Sequence, residues 1–361
     1  MINKGVLPIQ RLGRLRDEGY ITGVAESFLN PASIDLPLSG EAYRIDRSFL
    51  PRAHQTVRDW LKLQEAVRHD LKQPLAVGAT YLVRIEGEWA LPDGVYGYAN
   101  PKSSTGRIGL LCWTVADSVG MYDTLSPGWY GEQWMLIRSD YFRVRLREGL
   151  AIAQVRLFDG SSFLSTREMK NEILRNGLLF SPDGRKLGFS EIDMHRDSLF
   201  LTLAIGADMG YVSRMRPKAV LDYGSVGTHD ISDFFESVSA RGDVFNLDRE
   251  RLYILSTAER VMVAPPFSAE LRAIDVRLGD YKSHAAGYID AGWGWGSNGE
   301  AHGRPITLEI ISYQNSSVQR GQRIARLRYE RMAEVPAVAY DAAGSNYVVQ
   351  TGAKLSKHFK S

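Results

Sequence analysis

Apolar and polar residues alternate with a period of two in many short stretches of this chain, which is the pattern of a β-strand that buries one face. Between residues 141 and 147, Phe142, Val144 and Leu146 alternate with three arginines. Further strands are predicted at residues 80–85, 252–255, 261–263 and 306–311. Turn sequences rich in proline, aspartate and glycine separate them. Many short strands at close spacing predict a mostly β fold, with a small barrel or sandwich in each half.

Helical patterns are few. Apolar residues recur at helical spacing within 51–70 and within 230–241, so both segments are predicted to be helices. Ser165 and Glu168 have the Ser-x-x-Glu spacing of a capping box, and Gly177 is placed to end that helix. This third helix is predicted to join two domains. The predicted organisation is a first domain at 1–164, a linker helix at 165–177 and a second domain at 178–361.

The two halves of the chain carry the same short markers in the same order. The Gly-Trp pair at 128–129 corresponds to the pair at 292–293. A serine-rich loop at 102–107 is present only in the first half. A carboxylate on the strand after the Gly-Trp turn, Glu309, is present only in the second half. We interpret the chain as a duplication in which each copy has lost a different part of one site.

The composition is that of a globular protein in a reducing compartment. The 361 residues, 44% of them hydrophobic and 24% charged, favour two domains that each bury a core. The net charge of +2 comes without a clustered basic stripe, so a nucleic-acid surface is not expected. Cys112 is the single cysteine, which excludes a disulfide within the chain, and no apolar stretch approaches the length of a membrane span. We therefore expect a cytoplasmic protein that binds neither nucleic acid nor membrane.

The serine-rich loop has the chemistry of a polyanion site. Ser103 and Ser104 bring adjacent hydroxyl groups to a turn that contains a glycine, where main-chain N–H groups can face an anion. Lys102 and Arg107 bring positive charge to the same turn. From these residues alone, a solvated surface turn is an equally good interpretation.

The second copy has different candidates for chemistry. Its corresponding segment keeps two cations, Arg272 and Arg277, but has Ala-Ile where the first copy has serines. On the strand at 306–311, period two places Glu309 on the face opposite the apolar residues. The alternative for Glu309 is a solvated strand carboxylate, and the alternative for Asp290 is a turn residue that bonds its own backbone.

Several familiar sites are excluded by their missing context. Residues 294–299 match Gly-x-Gly-x-x-Gly, but no helical pattern follows, as a dinucleotide-binding turn requires. Zinc-dependent nucleobase deaminases need His-x-Glu and Cys-x-x-Cys, and this chain has one cysteine and no His-x-Glu. The histidines show no metal-ligand spacing, so structural or surface roles are expected for them.

Taken together, the motifs resemble those of the deoxycytidine triphosphate deaminases, relatives of the trimeric deoxyuridine triphosphatases. The resemblance lies in the segments Pro31–Leu36, Lys102–Gly109, Gly149–Gln154, Ile289–Trp293, Leu308–Glu309, Gly321–Arg326 and the tail residues around Tyr347. It covers most of both halves and is weakest between residues 175 and 250. The fold it implies is two tandem dUTPase-like distorted β-barrels with a few short helices.

The family resemblance also implies how the two copies divide the work. In that family one barrel supplies the phosphate loop and a neighbouring barrel supplies the base pocket with its glutamate. The first copy has Ser126 in place of the family aspartate and Leu136 in place of the glutamate. The second copy keeps Asp290 and Glu309 but has lost the serines. The hypothesis is that a complete site combines the first copy's loop with the second copy's pocket.

The resemblance implies a role for each matching residue. Glu309 would be the general base, without zinc, while Arg277 and the main chain near Ala286 would position the water and the base, and Arg272 and Asp290 would help to bind the substrate. The triphosphate would be held, with magnesium carried by the nucleotide, by Lys102, Ser103, Ser104 and Arg107. The tail would form a lid through Tyr340, Tyr347 and Gln350. Lys102 replaces a family arginine, which gives up bidentate phosphate binding.

The predicted function is hydrolytic deamination of dCTP to dUTP and ammonia by a homo-oligomer whose sites draw on both repeats. The first alternative is a dUTP diphosphatase, or an enzyme with both activities, because Gly131-Glu132 faintly resembles a diphosphatase motif. The second alternative is a nucleotide sensor without catalytic activity. From composition alone, the polar tail at residues 341–361 would be a disordered terminus, and this is the alternative to the lid that the resemblance implies.

Overall fold

The computed structural model describes residues 4–283, 286–342, 347 and 349–360. The chain is mostly β, as predicted. The strands of the first half are β1 Gly5–Val6, β2 Ile21–Thr22, β3 Ile34–Ile45, β4 Val67–Arg68, β5 Thr80–Ile85, β6 Glu88–Ala90, β7 Val95–Pro101, β8 Leu110–Ala116, β9 Thr124–Leu125, β10 Tyr130–Gly131, β11 Gln133–Ser139, β12 Arg143–Arg145 and β13 Ala151–Asp159.

The strands of the second half are β14 Leu179–Phe180, β15 Met194–His195, β16 Ser198–Thr202, β17 Gly210–Ser213, β18 Val220–Asp222, β19 Phe235–Val238, β20 Val244–Leu247, β21 Leu252–Val261, β22 Phe267–Arg272, β23 Tyr281–Lys282, β24 Tyr288–Ile289, β25 Arg304–Ser312, β26 Ser316–Gln319 and β27 Arg323–Arg331. The α-helices are α1 Ile9–Asp17, α2 Val57–Leu63, α3 Ser103–Gly106, α4 Thr166–Arg175 and α5 Ile231–Phe234. Single 3-10 turns lie at Glu26–Phe28, Val276–Leu278 and Tyr340–Ala342.

The chain forms two compact units that exchange segments. The first unit contains Val6–Ser161, Arg216–Asp233 and the C-terminal residues from Ser356 onward. The second unit contains Ser162–Met215, Phe234–Leu355 and the N-terminal residues up to Gly5. The division at residues 164 and 178 stays a prediction about domain boundaries, but residues 216–233 belong to the first compact unit although they lie in the second half of the sequence.

The main sheet of the first unit curls into a nearly closed barrel. Its antiparallel strands follow the order β8-β11-β5-β3-β13-β7-β9. Strands β7 and β8, which lie near opposite ends of this order, also contact each other. Among the side chains of its core are Leu82, Val115, Trp134 and Leu136, which are fully or nearly fully buried. The chain between β7 and β8 forms α3, so the serine-rich loop lies where the barrel closes.

The second unit is built from two sheets. One has the order β19-β17-β21-β25-β23, and the other has the order β15-β16-β27-β22-β24. The two sheets meet where β16 contacts β21. A single cluster of apolar side chains, including Leu201, Leu255, Leu308 and Leu327, fills the space between them. Strand β25 lies between β21 and β23 in the first of these sheets and carries Glu309.

Most predicted strands are confirmed. Residues 80–85 coincide with β5, and β12 lies within 141–147 with Phe142, Val144 and Leu146 buried and the three arginines exposed. The strand predicted at 252–255 is part of β21, which ends at Val261, so the strand predicted at 261–263 is wrong beyond its first residue. The pairing of β21 with β25 shifts register between Ser256 and Arg260, and this irregularity interrupts the period-two pattern.

The capping box predicted the helix near residue 165 correctly. Ser165 accepts a hydrogen bond from the Glu168 N–H, and the Glu168 side chain accepts one from the Ser165 N–H at 2.8 Å. The helix ends at Arg175, and Gly177 has a positive φ of 78°. Met169 and Ile173 are buried in the core of the second unit, so this helix is an integral part of that unit.

The other two helix predictions are wrong in extent or in type. Within 51–70 only α2, Val57–Leu63, is helical, and β4 follows it. Within 230–241 only Ile231–Phe234 is helical, and Phe235–Val238 forms β19 against β17. The apolar residues of this segment fit the helical period of 3.6 as well as the strand period of two. Hydrogen bonding to β17 makes residues 235–238 a strand. Helix α1 is not predicted. Its N-cap residue is Pro8, so the sequence lacks the Ser, Thr, Asp or Asn that usually marks the start of a helix.

The inserted segment 216–233 and the C-terminal strap, residues 356–360, hold each other in the first unit. Strand β18 of the inserted segment pairs in parallel with β12. The N–H groups of Gly227 and Thr228 donate to the carbonyl oxygens of Lys357 and His358, at 2.9 and 3.1 Å. Lys360 Nζ lies 2.7 Å from the Asp230 carboxylate.

Among the helices in the described part of the chain, none is long and apolar enough to cross a membrane.

Candidate active site

The serine-rich loop of the first unit begins at the end of β7. The Lys102 N–H donates to the Ile152 carbonyl oxygen at 3.0 Å, and the Thr105 N–H donates to the Lys102 carbonyl oxygen at 2.9 Å. The Lys102 ammonium forms an ion pair with Asp35 on β3. Ser103 is half-buried, and Arg107 is buried. The four predicted phosphate residues therefore share one turn, as their sequence spacing requires.

Two hydroxyl groups of this loop are held by Tyr223 from the inserted segment. Thr105 Oγ1 donates to the Ile152 carbonyl oxygen at 2.7 Å, so it accepts from the Tyr223 hydroxyl, which lies 2.7 Å away. Ser104 Oγ lies 3.1 Å from the same Tyr223 oxygen and is its donor. The predicted phosphate-binding hydroxyl of Ser104 is thus buried in an internal network, which leaves Ser103 as the serine nearer to solvent.

The C-terminal strap contacts the same loop from another direction. Ser356 Oγ donates to the Ser104 carbonyl oxygen at 2.8 Å, and its oxygen lies 2.8 Å from His358 Nδ1. The His358 ring is fully buried against the Tyr223 ring, with centroids 4.4 Å apart. Burial, together with the nearby Lys357 charge, lowers the pKa of His358 to about 4. The strap therefore fixes the backbone of the serine-rich loop through an uncharged Ser-His pair.

In the second unit, Glu309 is a buried carboxylate. Its side chain lies on β25 opposite Ile254 of β21, and the residue is only 2% exposed. The Ala286 N–H donates to Glu309 Oε2 at 3.3 Å. The adjacent Thr307 is also buried, so the face opposite the apolar residues is covered rather than solvated. The alternative of a solvated strand charge is therefore wrong.

Asp290 begins the turn that carries the Gly-Trp pair. The Trp293 N–H donates to the Asp290 carbonyl oxygen at 3.2 Å, and Gly292 has a positive φ of 97°. A Cβ atom at Gly292 would lie 2.9 Å from the Tyr340 backbone nitrogen, so only glycine fits. The Tyr340 N–H donates to the Ala291 carbonyl oxygen at 2.8 Å, and the Tyr340 ring packs on Trp293. The root of the tail is thus attached to this turn.

The described tail residues pack along β25. Gln350 Nε2 donates to the Pro305 carbonyl oxygen at 2.8 Å, and the Lys354 N–H donates to Thr307 Oγ1 at 3.3 Å. Tyr347 is buried in the core of the second unit. The three predicted lid residues therefore lie on the second unit, and the described part of the tail is packed rather than disordered.

A loop that the first copy lacks flanks the tail. Arg260, six residues of the loop from Gly294 to Arg304, and residues 349–351 line a cleft of about 550 Å³. At its edge, Arg304 Nη1 and Nη2 lie 2.6 and 2.7 Å from the two oxygens of Asp341, and the Gly296 N–H donates to Asp341 at 2.8 Å. As expected from the sequence, no helix follows Gly299 in this loop. Its contacts join the root of the tail to the start of β25.

Two family models match this chain, one in each half of the sequence. The family model described as the N-terminal domain of 2'-deoxycytidine 5'-triphosphate deaminase matches residues 3–161, and the model of the C-terminal domain matches residues 189–359. The chain belongs to this family. It is similar in structure to the 2'-deoxycytidine 5'-triphosphate deaminase from Agrobacterium tumefaciens, with a TM-score of 0.83 and 29% identity over 92% of this chain and 97% of that one. The search of curated proteins found no match.

Membership of the deaminase family confirms the resemblance. The structure brings one of the predicted site residues into contact with Glu309 and leaves another at the surface. The Ala286 N–H contacts Glu309. Arg277 does not reach it: its side chain is 86% exposed and is paired with Asp275 at 2.6 Å. Asp275 also accepts from the Arg277 N–H, so a local turn holds this arginine at the surface. Arg272 pairs with the buried Glu270 at 2.8 Å.

The glutamate that favours a diphosphatase already has structural partners. Glu132 accepts from Arg58 at 2.8 Å and from Arg84 at 3.1 Å. These ion pairs connect α2 to β5 and give Glu132 a structural role.

Within the described residues, no group of three or more His, Cys, Asp or Glu side chains is arranged to hold a metal ion.

The sequence did not indicate Tyr223, Ser356 or His358 as neighbours of the phosphate loop. Tyr223 lies where the resemblance to the deaminase family is weakest, and the other two follow the predicted lid. The sequence signal that could have found them is a tyrosine and a histidine within polar segments. That signal becomes informative only when the fold shows that both side chains are buried. Asp35, the partner of Lys102, lies in the Pro31–Leu36 motif, although no role was predicted for it.

Proposed function

We propose that this protein hydrolyses dCTP to dUTP and ammonia, with Glu309 as the general base. The observation that supports the proposal most directly is the buried Glu309 carboxylate, which accepts the Ala286 N–H at 3.3 Å in a member of the deaminase family. A buried carboxylate that a main-chain N–H holds in place is suited to take a proton from one water molecule.

In the proposed reaction the water oxygen bonds to C4 of cytosine while Glu309 takes one of its protons. Glu309 passes this proton to the ring nitrogen N3, and C4 becomes tetrahedral with both oxygen and nitrogen attached. The C4–N bond then breaks as the second proton of the water reaches the amino group, and ammonia leaves a C4 carbonyl. Glu309 ends in its starting charge state because it passes on the proton it received. Zinc has no part in this proposal.

The chain's own residues supply orientation. Asp290, in the turn that follows β24, is proposed to bind the sugar and base side of the substrate, together with Arg272. Arg277 would have to leave its Asp275 partner to position the water, so its role requires a local rearrangement. Binding energy from distant parts of the substrate is used most effectively when it orients C4 toward the base.

Phosphate binding is proposed for the serine-rich loop, with magnesium carried on the nucleotide as part of the substrate. Lys102 and Ser103 have half-buried side chains, whereas Ser104 and Arg107 are buried and shape the turn. Tyr340, Tyr347 and Gln350 are proposed to cover the bound nucleotide. Because the first copy has the loop and the second has Glu309, we propose that catalysis needs both repeats and that the protein works as a homo-oligomer.

The test is an assay of ammonia and pyrophosphate together, with purified protein and magnesium, in parallel incubations with dCTP and with dUTP. Ammonia alone is the expected product. Both products would establish a bifunctional enzyme, and pyrophosphate released from dUTP alone would overturn the proposal in favour of a diphosphatase. Nucleotide binding with neither product would instead support the sensor.

A further inference from the structure

The C-terminal strap places a lysine beside the serine-rich loop. Ser356, on one side of Lys357, donates to the Ser104 carbonyl oxygen at 2.8 Å. His358, on the other side, is fully buried, and its carbonyl oxygen accepts from Thr228 at 3.1 Å. The Lys357 carbonyl oxygen itself accepts from Gly227 at 2.9 Å. The backbone on both sides of Lys357 is therefore fixed to the first unit.

The side chain of Lys357 lies in the electrostatic field of the phosphate loop. Burial lowers the pKa of its ammonium group, the Lys102 charge lowers it further, and Asp35 opposes both. Lys102 is itself paired with Asp35. Within this cluster two ammonium groups accompany one carboxylate, and the buried Arg107 adds a further positive charge in the same loop. The cluster therefore has net positive charge that an added anion would neutralise.

We infer that Lys357 is a further phosphate-binding residue, which brings a second ammonium group to the polyphosphate chain held by the Lys102 loop. The inference rests on the proposed function for its substrate, a nucleoside triphosphate. Lys102 offers a single point charge where the family has a planar, bidentate guanidinium group. A second lysine at a fixed position supplies a second donor to the phosphates, which Lys102 cannot bind in a bidentate way, and charge-assisted hydrogen bonds to phosphate are among the stronger ones.

The same strap offers a matched control. Lys360 is three residues further on, is exposed, and pairs with Asp230 at 2.7 Å rather than facing the loop. The substitutions Lys357→Met and Lys360→Met remove the same charge and keep a similar chain length. Lys357→Arg restores the charge and serves as the conservative variant. Thermal unfolding of each variant shows that it is folded before binding is compared.

The first measurement is a calorimetric titration of the full chain with inorganic tripolyphosphate at low salt. Lys357→Met is expected to bind about tenfold more weakly than the parent, since a charge-assisted hydrogen bond is lost, while Lys360→Met and Lys357→Arg remain within about twofold. Equal affinity of Lys357→Met and Lys360→Met would overturn the inference. So would a parent protein that does not bind tripolyphosphate.

Kinetics with dCTP separates this inference from the proposed function. If dCTP is turned over, Lys357→Met is expected to raise KM more than it lowers kcat, with Lys360→Met unchanged. If dCTP is not turned over but the tripolyphosphate difference is present, the proposed function fails and the lysine assignment holds. If turnover is present and both lysine variants behave alike, the assignment fails by itself.

Discussion

Arg304 donates two hydrogen bonds to Asp341, with Nη1 2.6 Å from Oδ1 and Nη2 2.7 Å from Oδ2. Both side chains are largely buried, and the Arg304 guanidinium also lies 5.6 Å from the centre of the Trp293 ring. The pair joins the start of β25, the strand of Glu309, to the 3-10 turn from which the tail continues. A bidentate pair in this position fixes the 3-10 turn that carries Tyr340 to the start of β25.

Removing one partner of this pair is expected to be costly. Arg304→Met leaves the Asp341 carboxylate buried without its cation, so the free energy of unfolding should fall by about 3 kcal/mol. If the pair orients the lid, KM for dCTP should rise in a variant that is still folded. Urea unfolding and steady-state kinetics measure the two effects. The surface pair of Arg214 and Glu236 provides the control, because Arg214→Met removes an exposed ion pair and should change stability by less than about 1 kcal/mol. Equal losses in the two variants would contradict a special role for Arg304.

Glu309→Gln tests the proposed base. The amide has nearly the same volume as the carboxylate but cannot take a proton from water, so kcat should fall by at least about 100-fold. Binding of dCTP should change little, because the Ala286 N–H can still donate to the amide oxygen. Stopped assays of ammonia and a separate binding titration give the two quantities. Glu132→Gln, at the glutamate bound by Arg58 and Arg84, is the control and should leave ammonia release unchanged. Near-normal turnover by Glu309→Gln would mean that another group acts as the base.

Tyr223→Phe tests whether the inserted segment supports the phosphate loop. The change removes only the hydroxyl that lies between Ser104 and Thr105 in the hydrogen-bonded chain. Loss of these two hydrogen bonds should lower the free energy of unfolding by about 1–2 kcal/mol and weaken phosphate binding. Tyr130→Phe, at a residue that is 78% exposed, removes a hydroxyl without such a role and should have no effect. Chemical denaturation with tripolyphosphate titration distinguishes support of the loop from a purely local packing role, which would leave binding intact.

His358 predicts a pH dependence of stability. Its pKa is about 4 in the folded chain and ordinarily 6.5, so between these values the unfolded chain binds more protons than the folded chain. The free energy of unfolding should therefore rise with pH through this window, and roughly 3 kcal/mol of stability should be lost as pH falls through it. Urea unfolding at about pH 4.5 and about pH 7.5 measures the difference. His358→Gln should reduce the pH dependence, whereas His195→Gln, at an exposed position, should not. An unchanged slope in His358→Gln would show that other groups cause it.

Local sequence signals predicted the features that depend on near neighbours in the chain. The alternation at 141–147 identified the buried face of β12, and Ser165 with Glu168 identified the start of α4. Both signals work because period two and capping chemistry act within a few residues. The motifs around Glu309 and Lys102 identified the family for the same reason, since each motif is a short contiguous segment.

Tertiary structure alone decided what surrounds those motifs. Ser104 and Ser356 are 252 residues apart in the chain, and Ser104 and Tyr223 are 119 apart, yet all three belong to one hydrogen-bonded network. No local pattern encodes such a contact, because it depends on which strand the inserted segment pairs with. The same holds for Phe235, whose neighbours fit a helix until β17 pairs with β19. The sequence by itself determined the family, most of the strands and the residues capable of chemistry. The fold determined which of them are buried, which are held by partners and which, like Arg277, lie at the surface, because burial and long-range pairing are properties of the whole chain.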